Sequence, residues 1–442
     1  MGLEKSVQRT LNQIGLSDYS ASQLRQKASS LTQQIQTGLK RTDSTQIGRD
    51  NGVAAIDTHV SPLTQEEWSR VPEGKSVIAC AFAGTNWIVN TVTKENGKAQ
   101  LGKNEVKVEN LIENRTVTYG GFISRMADQI EKVSKNNPKL DTVAIALGFA
   151  HENIIEGNEN IDARILSDNP GKFWKITDYK DHEKDLVGKS LLEELKRRKC
   201  DSITKFVIQN DTNAVAHATS TSKSTKLPAG FVFGTGDNAS LGKRNLEVGY
   251  AIVNSEDDIF LEMKKRKYIS EGNQNNLIEY MMGGDYIKFR AIAALGLLQD
   301  QKLINTAEAS SIISSLMTSD DGAIISKIAS NKIGRRKLGT LIHEEISPDT
   351  YSILQEIASR SLRQAGQMMG VVIAAVAQSA GYNQTQETTY NVEGSVYWKG
   401  YKVQEEVKKT LTILSPENRL RAIEASGLIG IAQLGMARMA SA

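Results

Sequence analysis

Gly230-Phe231-Val232-Phe233-Gly234-Thr235-Gly236-Asp237-Asn238-Ala239 is the stretch on which the fold is read. An apolar run ends in glycines set around a threonine, which predicts a strand from Gly230 to Phe233 closing in a tight turn. Glycine lets a backbone approach a phosphate closely, and free amides with a hydroxyl can bind its oxygens. One such turn is more often only a turn. Two more occur, Ala83-Gly84-Thr85-Asn86 after a strand from Val77 to Phe82, and Glu393-Gly394-Ser395 in a short strand region near residues 389–397. Together they favour a nucleotide held between them.

Working outward, Trp87 to Val92 reads as a second strand and Lys94-Glu95-Asn96-Gly97-Lys98 as a turn, so the first glycine turn joins an antiparallel pair. Thr142 to Phe149 and Ile203 to Ile208 read as buried strands. Helices are expected at residues 120–135, at Leu186 to Leu195, and after Ser20-Ala21-Ser22-Gln23, a capping box ahead of Leu24, Ala28, Leu31, Ile35 and Leu39. Residues 41–75 read as irregular, and the chain beyond residue 257 as mostly helical, with the apolar helix at 357–380 as core. Strands alternating with helices give an α/β class.

Composition excludes several kinds of protein. In 442 residues, 54 Lys+Arg against 51 Asp+Glu leave a net charge of +3, so a dedicated nucleic-acid or polybasic membrane binder is not expected. No apolar run reaches membrane-spanning length, and Met1-Gly2-Leu3-Glu4-Lys5-Ser6 leads into no apolar leader segment. That opening fits a loose myristoylation pattern, though a plain terminus is the simpler reading. Two cysteines, Cys80 and Cys200, build no disulfide framework and point to a reducing cytoplasm. Five scattered histidines argue against a zinc hydrolase.

Two motifs are decoys. Gly188-Lys189-Ser190 has the end of a phosphate loop, but Glu183 stands where its earlier glycine belongs, so it begins or joins a helix. Gly234-x-Gly236 lacks the third glycine of a dinucleotide fingerprint. Asn210-Asp211, between a strand and an Ala-rich helix, lies where ligands gather in open α/β sheets. Asp211 there is either a helix cap or the base that takes a hydroxyl proton in phosphoryl transfer. Singly, Asn245-x-Glu247, Glu279 and Lys175 read as solvated surface.

In order along roughly residues 5–440, these segments resemble the hexokinase family of sugar kinases. Ile78 to Trp87 stands at the family's first phosphate loop, Asp-Leu-Gly-Gly-Thr-Asn-Phe-Arg. Leu147-Gly148-Phe149 resembles the start of the sugar loop, and Ile208 to Thr212 resembles Val-Asn-Asp-Thr. Gly234 to Ala239 is similar to Gly-Thr-Gly-x-Asn-Ala, and Asn245 to Gly249 to Asn-x-Glu-x-Gly. Glu279 to Tyr286 resembles Glu-Lys-x-x-x-Gly-x-Tyr, and Val392 to Tyr397 resembles the adenosine motif Val-Asp-Gly-Ser-x-Tyr. Ser426-Gly427 fits the last glycine-rich helix start.

The resemblance implies a two-lobed, actin-like (ribonuclease H-like) α/β fold with a central cleft, each lobe on a five-stranded mixed sheet. Residues 76–208 with 426–442 would form the small lobe, and residues 1–75 with 209–425 the large one. It implies ATP and Mg²⁺, with the γ-phosphate passing to a hexose 6-hydroxyl. Asp211 would be the base. Lys175, Asn210, Asn238, Glu247 and Glu279 would hold the sugar. Gly84, Thr85, Asn86, Gly234, Thr235 and Gly236 would meet the phosphates, with Gly394 and Ser395 near the adenosine; no residue is assigned directly to metal.

The sequence also departs from that pattern. The first loop's aspartate is Ala81, its first glycine Ala83 and its arginine Ile88, while the sugar-loop serine becomes Glu152 and Trp174 precedes Lys175 where the family has Thr. Asp237 either replaces part of that charge or repels phosphate. An active glucose-type hexokinase is therefore set against a weak or inactive sugar sensor, and against a kinase for a modified hexose such as N-acetylglucosamine.

Overall fold

The computed structural model describes residues 2–41, 53–82, 86–109, 116–157, 160–166, 175–218, 225–234, 236–252, 259–269, 278–319, 321, 323–382, 387–415, 419–424 and 426–441. In chain order the first strands are β1 (Ala55–Asp57), β2 (Ser76–Phe82), β3 (Asn86–Glu95), β4 (Lys98–Leu101), β5 (Val106–Glu109) and β6 (Thr116–Val117). Next come β7 (Thr142–Leu147), β8 (His151–Glu156), β9 (Asn160–Ile165), β10 (Lys175–Ile176) and β11 (Lys205–Asn210). The last are β12 (Thr225–Phe233), β13 (Asp237–Leu241), β14 (Arg244–Leu246), β15 (Glu387–Glu393) and β16 (Arg419–Glu424).

Two mixed sheets result, plus a parallel pair of β6 and β10. One sheet runs β4-β3-β2-β7-β11-β9-β8 with β5 also on β3, and the other runs β1-β14-β13-β12-β15-β16. Both contain the same wiring. A strand pairs antiparallel with its successor, which pairs antiparallel with the next, while two later strands join in parallel on the other side. The eight- and six-stranded sheets exceed the expected five strands because the β8–β9 hairpin, a second partner for β3, and β1 extend them. This is the two-lobed, actin-like α/β architecture.

β2 and β7 alternate between two apolar cores. Ile78, Cys80 and Phe82 pack with Phe122, Ile145 and Phe149. Val77 and Ala79 pack with Ala144, Ala146, Trp68 and the C-terminal helix Gly427–Ser441 through Leu428 and Ile431. The other sheet packs Phe231, Phe233 and Tyr390 against the helix Pro348–Ser379. Among the described residues no helix is long and apolar enough to cross a membrane.

The structure corrects several expectations. Residues 41–75 include β1 and the helix Gln65–Arg70, which Thr64 and Glu67 cap reciprocally. The strand near 389–397 ends at Glu393, and Ser395–Lys399 is helix. Gly188-Lys189-Ser190 lies in the first turn of the helix Val187–Arg197, whose N-cap residue offers no side-chain acceptor. Asp162, fully buried on β9, supplies it by accepting the N–H groups of Gly188 (2.6 Å) and Lys189 (3.1 Å) together with that of Ala163 (2.7 Å). The decoy thus lies at the start of a helix, as its sequence predicts, and its amides hold a carboxylate of the chain itself. Burial pushes that carboxyl upward, and the three N–H donors pull it back.

Asp162→Ala leaves two helix-start amides without their acceptor, so it should lower unfolding free energy by about 2–4 kcal/mol, with Asp162→Asn in between. Urea unfolding checks this; an alanine variant with the native midpoint would remove the capping role.

Candidate functional site

β11 ends in Asn210, and the next residue begins the helix Asp211–His217. Asn210 Oδ1 accepts the Thr212 N–H at 3.0 Å, so its side chain caps that helix, and its Nδ2 donates to the Phe149 carbonyl at 3.5 Å. Asp211 Oδ1 also accepts from Thr212 N, at 2.7 Å. The cap reading of this pair is thus satisfied chiefly by Asn210, and Asp211 stands one residue further on, in the helix's first turn.

From the other sheet, β13 and β14 bring three polar side chains to the same place. Asn245 Nδ2 donates to Glu247 Oε1 at 2.7 Å. Asn238 Nδ2 lies 3.1 Å from Asn245 Oδ1 and 3.2 Å from Glu247 Oε1, while its own Oδ1 accepts the Val248 N–H at 3.3 Å. Thr212 Oγ1 reaches Asn245 Oδ1 at 3.3 Å and closes the link to Asn210 and Asp211. Asn210, Asn245 and Glu247 are buried, so their geometry is fixed. Glu279 is buried as well, following Ile278, whose N–H donates to Ala251 at 3.0 Å beside the turn Val248–Tyr250.

The glycine turns meet at the ends of β12 and β15. Gly234 N–H donates across its own turn to Gly236 (3.2 Å), and the Gly234 carbonyl accepts from Gly284, the first residue of the helix Gly284–Asp300 (2.8 Å). Gly394 has φ +124°, and a Cβ there would overlap the Phe233 carbonyl, so only glycine permits this approach. Ser395 is exposed just beyond it. Glu393 Oε2 accepts the N–H of Gly427 (2.7 Å), the first residue of the C-terminal helix, and Gly427 in turn lies against the Asp211 backbone.

The structure therefore joins Asn210, Asp211, Asn238 and Glu247 in one cluster, sets Glu279 on the neighbouring segment, and draws Gly234, Gly236 and Gly394 together. Lys175 is exposed on the separate β6–β10 pair. Gly84, Thr85 and Thr235 lie outside the described residues, and Asn86 is placed only as the start of β3. Asp237 shares the core-facing side of β12 and β13 with Phe233, Phe231 and Ala239, opposite to Asn238, so the replacement charge is not on the side where Asn238 meets Asn245. Glu152 is committed to an ion pair with Arg164, its register partner on β9. His151 is buried with Nδ1 2.7 Å from the Phe149 carbonyl, and burial pushes it down to about 4, so the ring is neutral.

Sequence reasoning did not place Asn245, Thr212 or Glu393 in the site. Asn245 and Thr212 were legible as letters of the segments that resemble Asn-x-Glu-x-Gly and Val-Asn-Asp-Thr, without a role assigned to either. Glu393 was visible as the longer acid where the resembled motif carries aspartate. Its carboxyl is pushed up to about 7, chiefly by desolvation, against the pull of the Gly427 N–H and with a push from the Asp211 charge.

A family model described as hexokinase matches residues 7–234. The fold is similar to that of hexokinase from Schistosoma mansoni complexed with glucose, at 14% identity and TM-score 0.71 over 98% of this chain and 99% of that one. It is similar to a second structure described as hexokinase, at 15% identity and TM-score 0.68 over 99% of both chains. No curated protein matches the chain at a significant level.

Because the folded chain holds the Glu393 proton more tightly than the unfolded chain, this group favours folding at low pH. That stability is lost as pH rises from about 4.5 to about 7. Glu393→Gln keeps an acceptor for Gly427 and carries no charge. Its melting temperature relative to the native protein should climb between pH 5 and pH 8, and parallel melting curves across that range would contradict this assignment.

Proposed function

The chain belongs to the hexokinase family, and on that footing we propose that it transfers the γ-phosphate of ATP to the 6-hydroxyl of a hexose. The observation that supports this most is the hydrogen-bonded set Asn238, Asn245 and Glu247 standing against Asn210 and Asp211 at the end of β11. Such a set offers both donors and acceptors to a polyol, and it penalises an isomer that leaves one of them unmatched. Asn210, Asn238, Glu247 and Glu279 hold the sugar ring in this reading, with Lys175 reaching it from the β6–β10 pair.

Asp211 takes the proton of the attacking hydroxyl as its oxygen forms the bond to the γ-phosphorus. The bond from that phosphorus to the bridging oxygen breaks, and ADP leaves. In this reading Gly234, Thr235 and Gly236 meet the phosphates, with Gly84, Thr85 and Asn86 from the other lobe, and Gly394 and Ser395 lie near the adenosine. Among the described residues no group of three or more acids, histidines or cysteines is arranged as a metal cage. Mg²⁺ would instead arrive on the nucleotide's phosphates, neutralising their charge.

The proposed lobes are residues 76–208 with 426–442 and residues 209–425 with 1–75, with the stretch through Val60, Leu63 and Trp68 crossing over to pack on β2. Closure about a hinge near residues 70–76 and 205–211 would exclude water from the phosphate. A cytoplasmic site of action goes with this reading.

The second reading is a hexose-binding sensor with little or no turnover. Ala81 and Ile88, register partners on β2 and β3, favour it, because neither carries a charge to phosphate or metal. A coupled ADP-release assay over a hexose panel that includes N-acetylglucosamine, beside calorimetric sugar titration, separates the readings. ADP release supports the kinase and identifies the sugar, whereas binding without release supports the sensor. Asp211→Ala should cut turnover by roughly 10²–10⁴ while the protein stays folded. Ala81→Asp should raise it, and an Asp211→Ala variant as fast as the native protein would remove the base assignment.

A further inference from the structure

The hairpin of β8 and β9 lies beside β11, yet among the described residues a single register pair, Val207 with Ile161, joins it to that strand. Past this pair, backbone carbonyls near the end of β11 need donors from elsewhere. Two buried side chains of β8 supply them. Asn153 Nδ2 donates to the Ile208 carbonyl at 2.7 Å and to the Asp162 carbonyl at 3.2 Å. His151, two residues earlier and so on the same face of the strand, stands 2.7 Å from the Phe149 carbonyl. Glu152, between them on the opposite face, is engaged with Arg164.

The hydrogen-bond roles of the His151 ring follow from its surroundings. A carbonyl only accepts, so Nδ1 carries the hydrogen. Burial keeps the ring neutral, so Nε2 is a bare acceptor, and it meets no donor among the described residues. The Phe149 carbonyl is therefore the described anchor of the imidazole. The same carbonyl accepts from Asn210 Nδ2 at 3.5 Å, which its two lone pairs allow. The two contacts are unequal. The short histidine bond sets where the carbonyl lies, and the long one adjusts to it. At its other end the Asn210 amide is held through Oδ1, which accepts from Thr212 N at 3.0 Å and Thr212 Oγ1 at 2.6 Å. One N–H of Asn210 Nδ2 thus points to Phe149, and its second N–H is left to meet a hydroxyl.

We propose that His151 is a positioning residue for the hexose: through the Phe149 carbonyl it sets the rotation of the Asn210 amide, and so the direction of the N–H that meets a sugar hydroxyl. The inference rests on the sugar-binding reading of Asn210 above. It gives a role to a side chain that the ordered motifs leave unassigned.

The probes are glucose and N-acetylglucosamine, titrated calorimetrically into the full-length protein, with a melting curve for each variant. The two ring nitrogens can be mimicked separately, since asparagine carries its amide nitrogen near the Nδ1 position and glutamine near Nε2. His151→Asn should keep hexose affinity within about threefold of native. His151→Gln and His151→Leu should weaken it about tenfold, because the carbonyl loses its short bond and the Asn210 amide turns. Where turnover is measured, the loss should fall on KM and leave kcat within about threefold. If His151→Leu does not fold, the contrast between the Asn and Gln variants decides. Native affinity in His151→Gln overturns the inference, and so does equal weakening in His151→Asn and His151→Gln, which marks packing alone. Both results leave the sugar-binding reading standing. A native protein that binds neither sugar overturns the two together.

Discussion

The helix Asp211–His217 is held between two surfaces that allow no side chain. On one side Gly230 of β12 lies so near the Thr212 carbonyl that a Cβ would overlap it, and on the other Gly430 of the C-terminal helix lies equally near the Ala214 carbonyl. Backbone thus packs on backbone at both faces of a seven-residue helix, which by itself would be too short to persist in water. The contact fixes Asp211 relative to β12 in one sheet and to the helix that covers β2 and β7 in the other. Every other feature of the site is measured from this junction. Asn210 caps the helix, Asn245 meets Thr212, and Gly427 sits beside Asp211 one helical turn ahead of Gly430.

Buried polarity around the junction is arranged for satisfaction by the chain itself. Asn391 Nδ2 donates to the carbonyls of Val215 and Ala218 at the end of the same helix (2.7 and 2.8 Å), and Ser240 Oγ accepts the Gly230 N–H at 2.9 Å. Asp162 caps a helix that begins 25 residues later in the chain, and Lys94 does the converse, donating to the Trp68 and Val71 carbonyls where the helix Gln65–Arg70 ends. Asn391, Asp162 and Lys94 are thus strand side chains that complete a helix terminus its own sequence leaves open. Glu393 follows the same rule at the C-terminal helix, with the added circumstance that its neighbour is another carboxylate.

These long-range caps explain what the sequence reading reached and what it missed. Strands ending in glycine turns were legible because apolar residues run up to a conformational stop, as in Val77 to Phe82 and Gly230 to Phe233. β13 and β14 were not, since Asp237, Asn238, Ser240 and Asn245 are poor strand formers alone and hold their places through pairing with β12 and hydrogen bonds to one another. β16, Arg419–Glu424, falls in the span read as mostly helical, because an edge strand with polar residues carries little strand signal of its own. The span after Gly394 changes from strand to helix through a backbone conformation that composition does not reveal. In the site, Asn210, Asp211, Asn238 and Glu247 could be named from motif order. Thr212 and Asn245 stand in the same motifs, and what they do there shows only in the contact they make between the two sheets.

The shared wiring of the two sheets has a further meaning for how such a molecule tolerates change. Each half pairs its leading strand antiparallel with the next one, β2 with β3 and β12 with β13, and the halves have no strand in common. Substitutions accumulating in one sheet leave the scaffold of its counterpart undisturbed, so one half can drift chemically while the other preserves its shape. Built-in redundancy of this kind gives a lineage room to experiment with new specificities before the architecture itself is at risk.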